Sequence, residues 1–526
     1  MSGKKLMFDP QLREALAAGS AAVCGTVASN FGPEGRNTIR DQKYDLPLVA
    51  NTGRRILQEM SLPDAGEDLA AVLIREAALK VAATCGDGSI TTTLLTAELL
   101  RAGSRLVAAG YNPMELRSGL QKALPVLRAE LDALTVPFET VPAEKFAAAC
   151  AKNDEVAENS LKAFAAVGAE GVITVEDTQS RDTAVNIWDG VRYEYGLLNT
   201  CFMTDSERRR AVLTHPYVLL SNIKINSLAQ IRRMLEQTMR ASGELLIITN
   251  DMTEEVRRAL LVNKARAGLR VAVAKAPGFG DTRRRNMLAL AAKTGSLLFD
   301  ENSGHNIADC GLEVCAQVAR AEIDKDATIL YGFEHSSEEM TQILRRHTLG
   351  RLDQETSQDE REKLQITLSI LNGRTAEILA GGVTEYEMFE KKYLYENTVR
   401  ALQSAARSGL VPGAGSAYVR LAKRLRAEGS GLREAERAGM RCFADALRTL
   451  AGRLAENAGD DGSAVLAKLD SAKSAWQGYD VVQHRMVDLR EAGILTPRAT
   501  AEAILTTAAE TAGALLTTNA AVLEQK

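Results

Sequence analysis

Aromatic residues make up only 5% of this 526-residue sequence, with two tryptophans, and no apolar stretch approaches the length of a membrane span. No membrane partner is expected. Histidine is scarce too: His215, His305, His335, His347 and His484 are scattered, and none stands beside a serine or cysteine in a recognisable nucleophile motif. A metabolic enzyme with its site in the middle of the chain therefore has little to rest on. The seven cysteines, Cys24, Cys85, Cys150, Cys201, Cys310, Cys315 and Cys442, form no C-x-x-C pair. Cys310 and Cys315 lack a second pair at ligand spacing, so reduced, mostly buried thiols are expected rather than a metal site. Basic charge is not in excess, since the formal net charge is -4 and the clusters Arg208-Arg209-Arg210 and Arg283-Arg284-Arg285 sit beside Glu207 and Asp281. Duplex binding normally needs a broad basic face, so no nucleic acid partner is expected. The opening stretch "MSGKKLMFDPQLREAL" lacks the apolar core of a secretory signal, which makes a cytoplasmic location the default expectation.

What is present is a long chain, 45% hydrophobic and 25% charged, in which several domains are expected. Residues 60 to 135 read as helical: Leu69, Val72, Leu73 and Ala77 mark one face, and Leu95, Leu99, Ala102 and Leu106 another. The last hundred or so residues look alike, with "MRCFADALRTLAGRLAENAG" and "TAEAILTTAAETAGALLTTNAAVL" both readable as long helices. The middle alternates helical segments with the short apolar runs "YVLL", "ELLIIT", "LRVAVA" and "SLLF", the signature of a βαβ arrangement around a largely parallel sheet. An α/β domain is thus expected to be inserted into a helical one. Connectors are expected around residues 135 to 190 and 374 to 409, with Pro137, Gly190, Gly373 and Gly409 near the junctions.

Between two helical stretches lies "CGDGSITTT", residues 85 to 93. A Gly-Asp-Gly-Ser loop that opens a helix offers free backbone N–H groups and positive helix-dipole potential to phosphate oxygens. Asp87 adds a carboxylate of the kind that Mg²⁺ takes while keeping most of its water. The spacing is not that of a Walker loop, and a plain capping turn remains an alternative, because Asp and Ser are ordinary N-caps. The segments "NFGPEGRN" and "GLVPGAGSA" carry a similar ambiguity.

Taken in order, "FGPEGRN", "GDGSITTT", "AAGYNPMELRSGL", "EGVITVED", "KAPGFGD", "DEREKLQ", "VTEYEM" and "EAGILTP" resemble the group I chaperonins, the GroEL family, over essentially the whole chain. The resemblance implies a multidomain α and α/β fold. Its helical equatorial domain would comprise residues 1–134 and 409–526, a hinge-bearing intermediate domain residues 135–189 and 374–408, and an α/β apical domain residues 190–373. It also implies ATP and Mg²⁺ as cofactors, unfolded polypeptides as clients, self-assembly into seven-membered rings and a co-chaperonin lid. ATP would be held by Asn30, Phe31, Gly32, Pro33, Asn51, Asp87, Gly88, Ser89, Ile90, Thr91, Ala414, Asp480, Val481, Val482 and Thr496, with Asp87 on the metal. Clients would meet Leu197, Phe202, Leu235, Leu261 and Val262.

The chain departs from the family pattern at chemically important places. Thr52 and Asn397 stand where the family has its catalytic aspartates, and neither can serve as an anionic metal ligand or a general base. Asn51, Ile90, Ala414, Thr496 and the run Asp480-Val481-Val482 depart from the family's nucleotide contacts, while Arg232 and Arg257 replace apolar groove residues and Cys201, with Leu197, replaces tyrosine. The expectation is an ATP-binding chaperonin that assists folding in a ring. The alternative is an ATPase-deficient paralogue that acts as a holdase, scaffold or accessory ring subunit.

Overall fold

Local chemistry sets the helix ends in the computed structural model, which describes residues 4–41, 48–50, 52–58, 60–169, 171–178, 180–188, 190–205, 209–301, 303–355, 357–429 and 431–524. Asp64 caps the helix Ala65–Cys85 by accepting from the amides of Gly66 at 2.8 Å and Glu67 at 3.0 Å. Gly86, left-handed at φ 82°, ends it. Asn112 caps Pro113–Leu134 through the Met114 amide at 2.9 Å, with proline in the first turn.

The chain divides into two compact units, one made of Met1–Leu161 and Phe389–Lys526, the other of Lys162–Met388. In the first, the helices Gln11–Ala28, Ala65–Cys85, Ser89–Ala108, Pro113–Leu134, Glu434–Asn457 and Arg498–Leu516 share one apolar core. Its centre includes Leu12, Ile74, Leu95, Leu99, Leu120 and Phe443.

Two expectations are corrected here. The buried face of Ala65–Cys85 runs through Ala70, Ala71, Ile74, Ala78, Val81 and Ala82, whereas Leu73, expected inside, is 50% exposed and Leu69 and Val72 are only partly covered. The cause is a close approach to Gln11–Ala28, where a Cβ on Gly19 would lie 2.0 Å from the Glu67 carbonyl oxygen. Small residues fit such a seam, and the bulky leucines turn outward. The end of "TTNAAVL", expected as helix, is instead the strand Ala520–Glu524, which pairs antiparallel with Lys4–Phe8. A partner from the other end of the chain overrides the helical propensity of alanine.

The second unit carries the expected parallel sheet. Its four strands lie in the order Arg270–Lys275, Glu244–Thr249, Tyr217–Ser221 and Leu298–Phe299. Both faces are covered, which is why these strands read as continuous apolar runs. An antiparallel sheet follows in the order Gly190–Tyr193, Thr328–Phe333, Val318–Ile323 and Ala211–Thr214. A third sheet joins Val172–Asp177, Thr375–Ala380 and Ala184–Trp188, the strand parts of the two expected connectors.

All seven cysteines are unpaired, although only Cys85, Cys315 and Cys442 are fully buried. Among the described residues no helix is long and apolar enough to cross a membrane, and no His, Cys, Asp and Glu cluster is arranged to hold a metal. Glu207 and Arg208 lie outside the described residues.

Candidate functional site

The loop between Ala65–Cys85 and Ser89–Ala108 follows a path that glycine permits, with Gly86 at φ 82° and Gly88 at φ 96°. A Cβ on Gly88 would come within 2.9 Å of the Ile504 side chain. Gly88 is the N-cap of Ser89–Ala108, and no side chain caps that end. Asp87 Oδ1 accepts from the Gly88 amide at 2.6 Å, not from the helix's first turn. The capping role open to Asp87 and Ser89 is therefore not taken. The amides of Ser89, Ile90 and Thr91 stand at the positive end of the helix dipole, ready for an anion.

Thr52 precedes the short helix Gly53–Leu57, and a Cβ on Gly53 would lie 2.6 Å from Ser89 Oγ, so this segment rests on the start of Ser89–Ala108. Asn397, in the helix Glu385–Ser408, comes to the same loop: its carbonyl oxygen would be 3.3 Å from a Cβ on Gly86. One turn earlier on that helix, Tyr393 faces both Asn397 and Thr52. Burial pushes the Tyr393 hydroxyl pKa up, Asn397 and Thr52 pull it back, and the Asp87 charge adds to the rise. Thr52, Tyr393 and Asn397 thus gather beside Asp87. Thr52 Oγ1 and Asn397 Oδ1 are buried, and neither makes a hydrogen bond of good geometry among the described residues, although the Tyr393 hydroxyl lies close to both side chains.

Orphaned buried oxygens are costly unless water or a polar ligand fills them. Together with the free loop amides they make a donor and acceptor set that fits a hydrated phosphate. Asp87, the carboxylate of the loop itself, is exposed, which suits an ion held mainly by water and phosphate oxygens, while Glu396 beside Asn397 pairs with Arg54 at 3.7 Å and Arg400 at 3.9 Å.

The remaining expected positions differ in what they can offer. Asn30 is buried and braces its own loop, with its amide on the Arg36 carbonyl and its Oδ1 accepting from Thr38 at 2.9 Å. Phe31 packs on the cluster of Leu454, Tyr479 and Val481, and Asn457 fixes its carbonyl at 2.8 Å. Gly32, at φ 98°, could not carry a Cβ without meeting Leu454 at 2.5 Å, and Pro33 follows it in the same turn. Ala414 adopts a left-handed φ of 48° ahead of Gly415, the N-cap of Ser416–Ala427. Thr496 lies in a strand paired with Val411. Asp480 is buried, its Oδ1 accepting from the amides of Val482 at 2.9 Å and Gln483 at 3.2 Å. That oxygen holds a turn, while Val482 is 55% exposed. Asn51 lies outside the described residues.

Two residues at the loop escaped sequence reasoning. Tyr393 could have been found, because it lies four residues before Asn397 on a helical pattern. Lys152, whose Nζ donates to the Gly32 carbonyl at 3.1 Å, gave no signal. Desolvation of its ammonium by the surrounding protein pushes its pKa below the ordinary lysine value, against the opposite pull of Asp87 and Glu34, although the side chain remains exposed at the surface.

Within the second unit, the residues expected to meet clients separate sharply. Leu197, Phe202 and Leu235 are core residues, 4%, 0% and 7% exposed. Leu197 bridges to Ala274 at the sheet, and Phe202 sits in a segment held by Lys264 through the carbonyls of Cys201 and Met203. This corrects the expectation that all five present apolar surface: Leu261 is partly covered and Val262 is 50% exposed. Arg232 and Arg257 pair with Glu236 at 3.8 Å and Glu254 at 3.0 Å on their own helices.

A helical unit built from both chain ends, with an α/β unit drawn from the middle, defines the multidomain α and α/β class that the sequence implied. The chain matches the TCP-1/cpn60 chaperonin family over residues 23–225 and 196–526, and it belongs to that family. Chaperonin function, assistance of protein folding, comes with that membership.

Proposed function

We propose that this chain is an ATP-binding chaperonin subunit of the group I kind, which captures unfolded polypeptides and works in a ring, with a co-chaperonin lid as a partner. The observation that carries the nucleotide part is the uncapped Gly86–Thr91 loop with buried, unpartnered oxygens at Thr52 and Asn397 beside it. In this reading residues 1–134 with 409–526 form the equatorial domain, 135–189 with 374–408 the intermediate domain, and 190–373 the apical domain, in a cytoplasmic protein. The loop amides and the Ser89 and Thr91 hydroxyls would orient the phosphates, Asp87 would hold Mg²⁺, and Phe31, Gly32 and Pro33 would line the approach to the nucleotide. When bound, Mg²⁺ would neutralise phosphate charge. Val262 and Leu261 provide apolar area for clients, and Arg232 nearby in sequence to the groove positions favours acidic or amphipathic segments.

A second reading, in which nucleotide binds but is not usefully hydrolysed, is favoured by the neutral Thr52, Tyr393 and Asn397 group. None of the three offers a carboxylate to activate water. The experiment joins calorimetric titration with Mg-ATP, steady-state ATPase activity and negative-stain microscopy of rings. Absence of ATP binding at millimolar nucleotide would sink both nucleotide readings. Restoring carboxylates by Thr52→Asp with Asn397→Asp is expected to raise turnover by about 10²-fold or more, within the range of general-base effects. No increase in a variant that still binds ATP would discard the explanation by lost carboxylates.

A further inference from the structure

Lys152 occupies a backbone conformation that lysine rarely takes. It ends the helix Ala143–Ala151 at φ 53° and ψ 16°, in the left-handed region, at a cap position where glycine or asparagine is the usual choice. Non-glycine residues persist in such conformations where the surroundings over-determine them, and they cluster at functional sites. Here the surroundings include the turn from Phe31 to Gly35, one of the expected nucleotide-binding segments. The Lys152 Nζ donates to the carbonyl of Gly32 at 3.1 Å, a position that must be glycine because a Cβ there would strike Leu454. The Gly35 amide donates to the same carbonyl at 3.3 Å, so the acceptor belongs to a closed turn. The acids whose charge acts on the ammonium are Asp87, of the glycine loop, and Glu34, of the turn. One of its three N–H donors is used by Gly32, leaving two for another acceptor.

The charge balance of the crevice gives this placement its meaning. With Thr52 and Asn397 neutral and Glu396 engaged by Arg54 and Arg400, Asp87 is the carboxylate left open to a divalent ion, so the anionic ligands that would anchor one are fewer. The Lys152 ammonium, exposed and held by one hydrogen bond to Gly32, is at the same time within electrostatic reach of Asp87 in the loop that would face phosphate. We infer that Lys152 is a tethered counter-cation of this site, contributing by its own charge to the hold on a polyphosphate and making nucleotide binding only weakly dependent on free Mg²⁺. This inference rests on the nucleotide reading of the loop.

The test measures ATP affinity by calorimetry, in excess Mg²⁺ and in excess EDTA, for the natural full-length chain and for Lys152→Gln, Lys152→Gly and Lys152→Arg. The natural chain should lose no more than about tenfold in affinity on removal of Mg²⁺. Lys152→Gln and Lys152→Gly should each bind ATP at least about tenfold more weakly in EDTA, the order expected for losing one charge-assisted hydrogen bond to phosphate. Lys152→Arg should retain most of the affinity. The glycine variant relieves the backbone and removes the charge, so equal losses in Gln and Gly assign the effect to charge. If ATP binds with Mg²⁺ but not in EDTA, or if the neutral variants match the natural chain in EDTA, the inference fails while the nucleotide reading stands. If the natural chain binds ATP in neither buffer, the nucleotide reading fails and takes the inference with it.

Discussion

At the scale of single residues, Glu436 shows how a buried charge is made tolerable. It is 2% exposed, and its carboxylate receives Arg433 at 2.6 Å, Lys122 at 2.8 Å and the Ser118 hydroxyl at 2.9 Å. Arg433 foremost, then Lys122, holds its pKa far below the ordinary carboxylate range. A depressed carboxylate stabilises the fold fully above its unfolded value of about 4.3, and that stabilisation is lost as pH falls towards the folded value. Glu436→Gln should therefore lower the thermal midpoint at neutral pH, with the gap to the natural chain closing as the solution is acidified below about pH 4. Thermal melts across that range check it, and a gap that does not change with pH would refute the electrostatic account. The same scale marks a limit of sequence reading. Thr52 and Asn397 were legible because a motif order points to their positions, whereas Lys152 matters through a left-handed backbone and a contact 120 residues away along the chain. Neither leaves a local pattern.

At the scale of elements, the first unit depends on helices that touch backbone to backbone. Where Pro113–Leu134 crosses Glu434–Asn457, a Cβ on Gly119 would lie 2.1 Å from the Glu436 carbonyl oxygen, and one on Gly439 would lie 2.4 Å from that of Leu116. The two glycines permit the crossing reciprocally, and a methyl group at either must push the helices apart. Gly119→Ala should destabilise the protein by about 1–3 kcal/mol in denaturant titrations, the usual range for overpacking. Gly25→Ala is the control: Gly25 lies within Gln11–Ala28 with nothing within 4 Å of its would-be Cβ, so alanine there should stabilise by about 0.5–1 kcal/mol. Equal effects at both sites would mean that helix propensity, not contact, governs the crossing. Such seams also explain which elements sequence reading mistook. Periodicity located the strands of the parallel sheet within a residue or two, because each is an apolar run with both faces buried. It chose the wrong face of Ala65–Cys85, because close packing buries alanine and leaves leucine outside. It also missed the strand Ala520–Glu524, whose partner is at the other end of the chain.

At the scale of the whole molecule, the insertion was legible because the chain changes character twice, from alanine-rich helix to alternating strand and helix and back again. Each resulting unit has its own apolar core, one containing Phe443 and the other Phe299, both fully buried. Separate cores allow separate loss of structure, since cooperativity follows shared packing rather than chain continuity. Phe443→Ala and Phe299→Ala remove comparable side chains, each at an expected cost of about 3–5 kcal/mol to its own core. Scanning calorimetry should therefore resolve their effects: Phe299→Ala should lower the transition of the Lys162–Met388 unit and leave the other within a degree or two, and Phe443→Ala should do the reverse. Hydrogen exchange of the same variants assigns each transition to its unit. If both substitutions displace one common transition equally, the two cores unfold together. An inserted unit that can open alone would let this chain loosen its α/β unit while the helical unit, with the Gly86–Thr91 loop, stays folded.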